Sequence, residues 1–239
     1  MGARERYGQY CGMSRGAEIF ATPWTPIIIR NLLLGCRTFT EILDGAPGLS
    51  RTLLAQRLRT LRRYGVVEPA IRGYRLTEAG QALAPVVDAL GRWGERWIEL
   101  APEHLDAGIV LWGLSRVVPA DLLPDRRVVL RFEVPDDGRR RFWLLADDEH
   151  VEMCSRSPGP ADDLVLTASS QALTRWHTGR VSLRHAVRDG LISVDGPRRL
   201  VRMLDSWGGL GGYPDADVSV VRKPVTASVN SSGRSTQGR

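Results

Sequence analysis

Residues 50–63 read SRTLLAQRLRTLRR. On a helical wheel of about 100° per residue, Leu54, Leu58 and Leu61 fall within one narrow arc and make a buried stripe. Thr52, Gln56, Arg59 and Arg63 fall on the opposite face, and Arg57 and Arg62 edge the stripe. A helix that meets only water usually mixes signs through i,i+4 pairs of acid with base. Here no acid occurs from Leu49 to Val67, and Arg59, Arg62 and Arg63 repel one another unless an anion meets them. The residue types also suit a major groove: glutamine reads adenine, arginine reads guanine or holds phosphate, and threonine does either. Two readings stand at this point, a solvated basic helix and a helix that enters DNA.

The flanking sequence bears on the choice. Ser50 is placed to cap the helix, and Gly65 to end it. A short helix over Phe39–Leu43 and the turn Asp44-Gly45-Ala46-Pro47-Gly48 precede it. Val66–Ile71 and Tyr74–Leu76 follow as a minimal hairpin around Arg72-Gly73. A short helix, a turn, a basic helix and a hairpin form the order of a winged helix-turn-helix. Upstream, a first helix over Gly12–Ala21 leads to a second whose Ile27-Ile28-Ile29 and Leu32-Leu33-Leu34 are apolar nearly all round, so it is buried. Downstream, Thr77 and Glu78 open a long helix over roughly 78–99. On it Val86, Leu90, Trp93 and Trp97 make an apolar stripe with two indoles. Because the front already has a buried Ile/Leu helix, the stripe is read as a dimer interface; packing on its own domain is the alternative.

Bulk properties fit this division. Residues 1–100 carry 14 Arg against 9 acids, a net of +5, whereas residues 101–215 carry 15 against 17, a net of −2. The positive charge sits in front, which points to a polyanionic partner for that half only. Lys223 is the one lysine among 33 basic residues, a bias that genome composition alone could impose. Cys11, Cys36 and Cys154 have no paired spacing, which argues against a disulfide scaffold or a zinc site and fits a reducing cytoplasm. No apolar run reaches the length of a membrane span, and the N-terminus lacks the apolar core of a signal peptide.

From about Ile109 the texture turns to alternation: Val128, Leu130, Phe132 and Val134 are separated by Val129, Arg131 and Glu133. Asp137-Gly138 marks a hairpin turn. Strands are expected over Arg141–Ala146, Val151–Cys154, Leu164–Ala168 and Leu191–Val194, and helices over Ser170–Trp176, Leu183–Arg188 and Pro197–Trp207. The fold class is therefore α+β, with a mainly helical domain over residues 11–100, a second α+β domain over 108–212, and a disordered tail over 216–239.

The stretch Tyr10–Trp97 resembles the HxlR family of bacterial transcription regulators, relatives of the MarR group. The matching residues are Tyr10-Cys11; Trp24-Thr25 leading into IIIRNLLLG (Ile27 to Gly35); Arg37, Phe39 and Glu41-Ile42; and Pro47-Gly48-Leu49-Ser50. Leu54, Gln56-Arg57-Leu58-Arg59, Leu61, Gly65-Val66-Val67, Tyr74 to Gly80 and Leu90-Gly91-Arg92-Trp93-Gly94 complete them. The resemblance implies a cytoplasmic homodimer on a palindromic double-stranded DNA operator, with the Ser50–Tyr64 helix in the major groove and Ser50, Thr52, Gln56 and Arg57 in contact with DNA. The wheel adds Arg59 and Arg63; Arg51 on the same helix and Arg72 at the wing complete the DNA-binding candidates. The wing is shorter than is usual in the family, so Arg72 has little reach into a minor groove. HxlR relatives often carry a cysteine at the position of Cys11, and some resemble sensors of oxidants or electrophiles. Cys11 is thus a redox candidate near a helix N-terminus, or simply a small half-buried residue.

Residues 109–207 resemble the sterol carrier protein 2 fold in the form appended to bacterial regulators. The residues that carry this are Asp163-Leu164-Val165-Leu166, Leu173, Trp176-His177-Thr178-Gly179, Leu183, Ala186, Gly190, Val194-Asp195-Gly196 and Leu200-Val201. The resemblance implies a five-stranded sheet backed by helices around an apolar tunnel. Candidate ligand-binding residues are Trp112, Phe132, Trp143, Leu145, Met153, Trp176 and Trp207, all of which could equally be core. No catalytic motif, metal-ligand spacing or cofactor signature emerges: His104, His150, His177 and His185 lack ligand spacing, and Gly113-Leu114-Ser115 lacks the second glycine of a nucleophile elbow. The expectation is a repressor, in preference to an activator, that answers to a hydrophobic or aromatic small molecule. A carrier protein whose front half only dimerises, and a thiol switch at Cys11, are the alternatives.

Overall fold

The computed structural model describes residues 7–138 and 140–213; the tail over 216–239 lies outside them. The front unit runs α1 (Gly12–Phe20), α2 (Thr25–Leu33), α3 (Phe39–Asp44), α4 (Arg51–Arg63), the hairpin β1 (Val67–Ala70) and β2 (Gly73–Leu76), α5 (Glu78–Gln81) and α6 (Ala84–Trp97). Thr38 and Glu41 form a capping box on α3: Thr38 Oγ1 accepts from the Glu41 amide at 3.2 Å, and Glu41 Oε2 accepts from the Thr38 amide at 2.9 Å. Ser50 caps α4 by accepting from the Leu53 amide at 3.2 Å. Leu54, Leu58 and Leu61 are buried against Ile28, Ile29 and Leu32 of α2 and Ile42 of α3. This confirms the stripe read from the wheel.

The wing pairs Val67 with Leu76 through Ala70 with Gly73. Gly73 has φ +118, and a Cβ there would lie 2.2 Å from the Arg37 carbonyl oxygen. That carbonyl accepts from the Tyr74 amide at 2.8 Å, so the hairpin is tied to the α2–α3 loop. The expected single helix over 78–99 is two: α5 ends at Gln81 and α6 restarts at Ala84 with Pro85 in its first turn. Proline has no amide proton and clashes inside a helix, but is tolerated at its start.

The rear unit opens with α7 (Ala107–Val117), followed by β3 (Val128–Val134), β4 (Arg140–Ala146), β5 (Val151–Cys154), β6 (Leu164–Ala168), α8 (Ser170–His177), α9 (Leu183–Arg188), β7 (Ile192–Asp195) and α10 (Arg198–Trp207). Its sheet has the order β5-β4-β3-β6-β7, with β3 and β6 parallel and the other neighbours antiparallel. Helices back one face over a core that includes Phe132, Phe142, Leu144, Leu166, Leu173, Trp176, Leu204 and Trp207.

Sequence reading missed α7, where alternation was expected from Ile109. The reason is that α7 serves two cores. Ala107, Val110, Leu111 and Leu114 face the rear core at spacings of three, one and three, while Ile109 and Trp112 point into the front core. Apolar on two sides, the helix shows no single stripe. Trp112, assigned by sequence to the rear unit, is thereby packed into the front one.

Candidate DNA-binding face and interdomain cavities

α4 presents Ser50, Arg51, Thr52, Arg59, Arg62 and Arg63 to solvent, and Gln56 is half-buried between them. Among the described residues no carboxylate pairs with Arg51, Arg59, Arg62, Arg63 or Arg72. Two of the arginines rest on rings instead: Arg51 lies 5.0 Å from the centroid of Phe39 and Arg63 5.1 Å from that of Tyr64. The helix thus keeps a row of unneutralised guanidinium groups on one open face, and Arg72 stands exposed at the tip of the adjacent wing.

Arg57 requires a correction. It is 7% exposed, and its Nε donates to the Pro23 carbonyl at 3.0 Å, so it fastens α4 to the α1–α2 loop and does not belong to the open face. On the wheel it borders the leucine stripe, and the long aliphatic stem lets the edge position turn inward.

The stripe on α6 lies in the open. Val86, Leu90, Trp93 and Trp97 are 45%, 47%, 53% and 41% exposed, so they do not pack on their own domain. The opposite side of α6 faces the rear unit. Tyr213 lies so close to Gly91 that a Cβ there would be 2.0 Å from the ring. The Glu95 carboxylate accepts from the Tyr213 amide at 3.3 Å, and the Glu95 carbonyl accepts from Arg180 Nη2 at 3.2 Å. Burial raises the Glu95 pKa, opposed by that amide and by Arg180.

Two cavities of about 790 Å³ each flank Trp112 between the units. One lies between α3 and α7–β5, bordered by Glu41, Asp44, Arg116 and Met153. The other lies between α2 and α6 on one side and α7, α8 and the segment 210–213 on the other. Trp112 lines both. Its ring packs so tightly on the front unit that a Cβ at Gly45 would be 2.2 Å from it, and Arg30 and Arg116 stand 5.7 and 5.8 Å from the ring centroid.

Of the other candidate ligand contacts, Met153 borders the first cavity. Phe132, Trp176 and Trp207 are fully buried in the rear core. Trp143 and Leu145 lie on the other face of the sheet, where Trp143 Nε1 donates to Asp162 Oδ1 at 2.9 Å. The residues sequence reading missed are Arg30, His177 and Gly211, whose separation along the chain gives no local signal. His177 is 8% exposed, and burial pushes its pKa down to about 4, so it is neutral at pH 7.

Cys11 precedes α1 half-buried, and its thiol pKa is lowered by the Ser14 and Met13 amides and the Ser14 side chain. Cys36 is buried, and burial raises its pKa. Among the described residues no cluster of His, Cys, Asp and Glu could hold a metal, and no helix is long and apolar enough to cross a membrane.

Residues 19–102 match the family model described as HxlR-like helix-turn-helix. The chain is 34% identical over 99 residues to the uncharacterized HTH-type transcriptional regulator YvaP of Bacillus subtilis, covering 38% of this chain and 90% of that one. It is similar to the quinone-bound structure of YodB from B. subtilis at 32% identity, covering 36% of this chain and 97% of that one with a TM-score of 0.34. It is also similar to a structure titled UbiJ-SCP2 ubiquinone synthesis protein at 19% identity, covering 53% of this chain and 96% of that one with a TM-score of 0.32. The front unit and its relatives define a helix-turn-helix transcriptional regulator, not an enzyme. More particularly, the chain belongs to the HxlR-like helix-turn-helix family.

Proposed function

We propose that the protein is a homodimeric repressor that binds a palindromic double-stranded operator through α4 and is released by a hydrophobic or aromatic small molecule held by its rear unit. The observation that carries the DNA contact is the open, acid-free face of α4, where Arg51, Thr52, Arg59 and Arg63 stand with no carboxylate partner among the described residues. Phosphates would neutralise these groups, and Gln56 on the same helix is of the type that reads a base edge. The exposed stripe of α6 supports the dimer, which would set two copies of α4 about one DNA turn (~34 Å) apart. The five-stranded sheet backed by helices supports the sterol carrier protein 2-like reading of the rear unit.

The test is selection of bound fragments from a random DNA pool by the purified protein at two salt concentrations. A palindromic motif with half-sites one turn apart is expected. Motif-free binding that vanishes with salt would mean that the arginines attract phosphate without reading sequence, and would refute the regulator mechanism.

A second reading rests on the lowered thiol pKa of Cys11 and on the relative YodB, whose structures include diamide-treated and quinone-bound forms. In it, oxidant or electrophile modifies Cys11 and DNA is released. A Cys11→Ser variant that still leaves DNA on treatment with diamide would dismiss it.

A further inference from the structure

We propose that the cavity between α2, α6, α7 and α8 binds an aromatic carboxylate, with its carboxylate on Arg30 and its ring against Trp112. The inference rests on the effector reading above for the class of ligand but goes beyond it in location, placing the ligand between the two units and not in a tunnel inside the rear one. The first support is charge. Arg30 lines the cavity, and its Nε and Nη2 donate to Asn31 Oδ1 at 3.1 and 2.9 Å, with Nη2 also donating to the Gly45 carbonyl at 2.8 Å. Among the described residues its Nη1 has no protein acceptor and no carboxylate pairs with it. The wall's other charges, Arg92 and Asp88, neutralise each other at 2.8 Å. A partly buried guanidinium with only neutral acceptors is costly unless an anion joins it. Burial pulls the Arg30 pKa down accordingly.

The second support is shape and polarity. The remaining wall is mostly apolar, with Leu33, Leu34, Val87, Val117 and Trp112 among its lining, and the volume of about 790 Å³ is within the range of small-molecule sites. Two residues of this wall, Trp112 and His177, each bury a ring nitrogen (Nε1 and Nδ1) without a hydrogen-bond partner among the described residues.

The third support is where the two ligand-facing groups lead. Arg30 donates to the Gly45 carbonyl, and Trp112 packs on Gly45, the first residue of the turn between α3 and α4. A carboxylate that draws on Arg30, and a ring that presses on Trp112, therefore both bear on the segment that aims α4. Coupling needs no longer path than this one residue.

The experiment is calorimetric titration of the full chain, without DNA, with benzoate and 2-naphthoate and with their primary amides. One acid per chain is expected to bind at least tenfold more tightly than its amide. Arg30→Gln is expected to abolish that preference. Ala84→Trp, which fills the cavity from the start of α6 and leaves Arg30 and Gly45 untouched, is expected to remove binding of acid and amide alike while leaving the unfolding transition in place. Binding of neither acid, an equal affinity for acid and amide, a preference that survives Arg30→Gln, or binding undiminished in Ala84→Trp would each overturn the site. None of these outcomes touches the DNA selection above, so the two readings fail separately.

Discussion

Gly45→Ala is a test of the seam between the two units. Gly45 has φ −82, an ordinary value for any residue, so the substitution carries no backbone strain. The added methyl would lie 2.2 Å from Trp112 Cζ2 and 2.6 Å from Asn31 Nδ2. To regain an ordinary contact of about 3.4 Å the indole must withdraw by roughly 1.2 Å, and it is 7% exposed with Arg30 and Arg116 at 5.7 and 5.8 Å from its ring centroid. Overpacking of this kind costs about 1–3 kcal/mol. Trp112→Ala should cost about 3–5 kcal/mol through the cavity it leaves. In the Trp112→Ala background the clash with the indole is gone and only the contact with Asn31 Nδ2 at 2.6 Å remains, so Gly45→Ala should cost clearly less than in the wild type. The double-mutant cycle, run by urea unfolding of the four proteins, should therefore return a coupling of more than about 0.5 kcal/mol. Additive effects within about 0.5 kcal/mol would show that Trp112 does not press on the turn, and the route from cavity to α4 would fall with it.

Four further outcomes are expected. Arg59→Ala with Arg63→Ala should leave unfolding unchanged and reduce the slope of log affinity against log salt by about 0.9 for each phosphate no longer neutralised, whereas Arg57→Ala should lower stability by about 1–3 kcal/mol by removing its bond to Pro23; both are read by fluorescence anisotropy and urea titration. Trp93→Glu should convert the proposed dimer to a monomer in sedimentation velocity, because a carboxylate at the centre of the α6 stripe cannot be buried unpaired. His177, with a pKa depressed to about 4 from the ordinary 6.5, stays neutral when folded but takes a proton when unfolded. Its contribution is therefore constant above pH 7 and declines as pH falls from about 6.5 to 4, by up to about 3 kcal/mol. The difference in stability between wild type and His177→Phe should follow that slope, and a flat difference would contradict the burial.

Much of the front unit is legible because its signals are local. Ser50 and Gly65 bound α4, and the leucine spacing chooses its buried face. The alternation of β3 is equally plain, with every second residue buried from Val128 to Val134. What escapes is whatever one residue owes to a distant one. Arg57 reads as a DNA contact until Pro23 is seen 34 residues upstream accepting its bond. The α5–α6 break turns on Pro85, whose position in a long helical pattern could mark a kink or a start. The second cavity draws Arg30, Trp112, His177 and Gly211 from four distant stretches, and no periodicity within any of them announces the others. Aromatic residues chosen from the rear sequence as ligand contacts are large enough to be core, and in Phe132, Trp176 and Trp207 they are.

The grip on the back of α6 has a genetic consequence. Gly91 leaves room for the Tyr213 ring, and Arg180 holds the Glu95 carbonyl, so the rear unit touches the helix whose open stripe is proposed to join two chains. Any larger residue at Gly91 would push Tyr213 aside, and with it part of the wall of the cavity that Arg30 lines, without altering a DNA-facing side chain. Substitutions at this single glycine are where alleles altered in the response to effector should collect in a screen, separable from operator-blind alleles in α4.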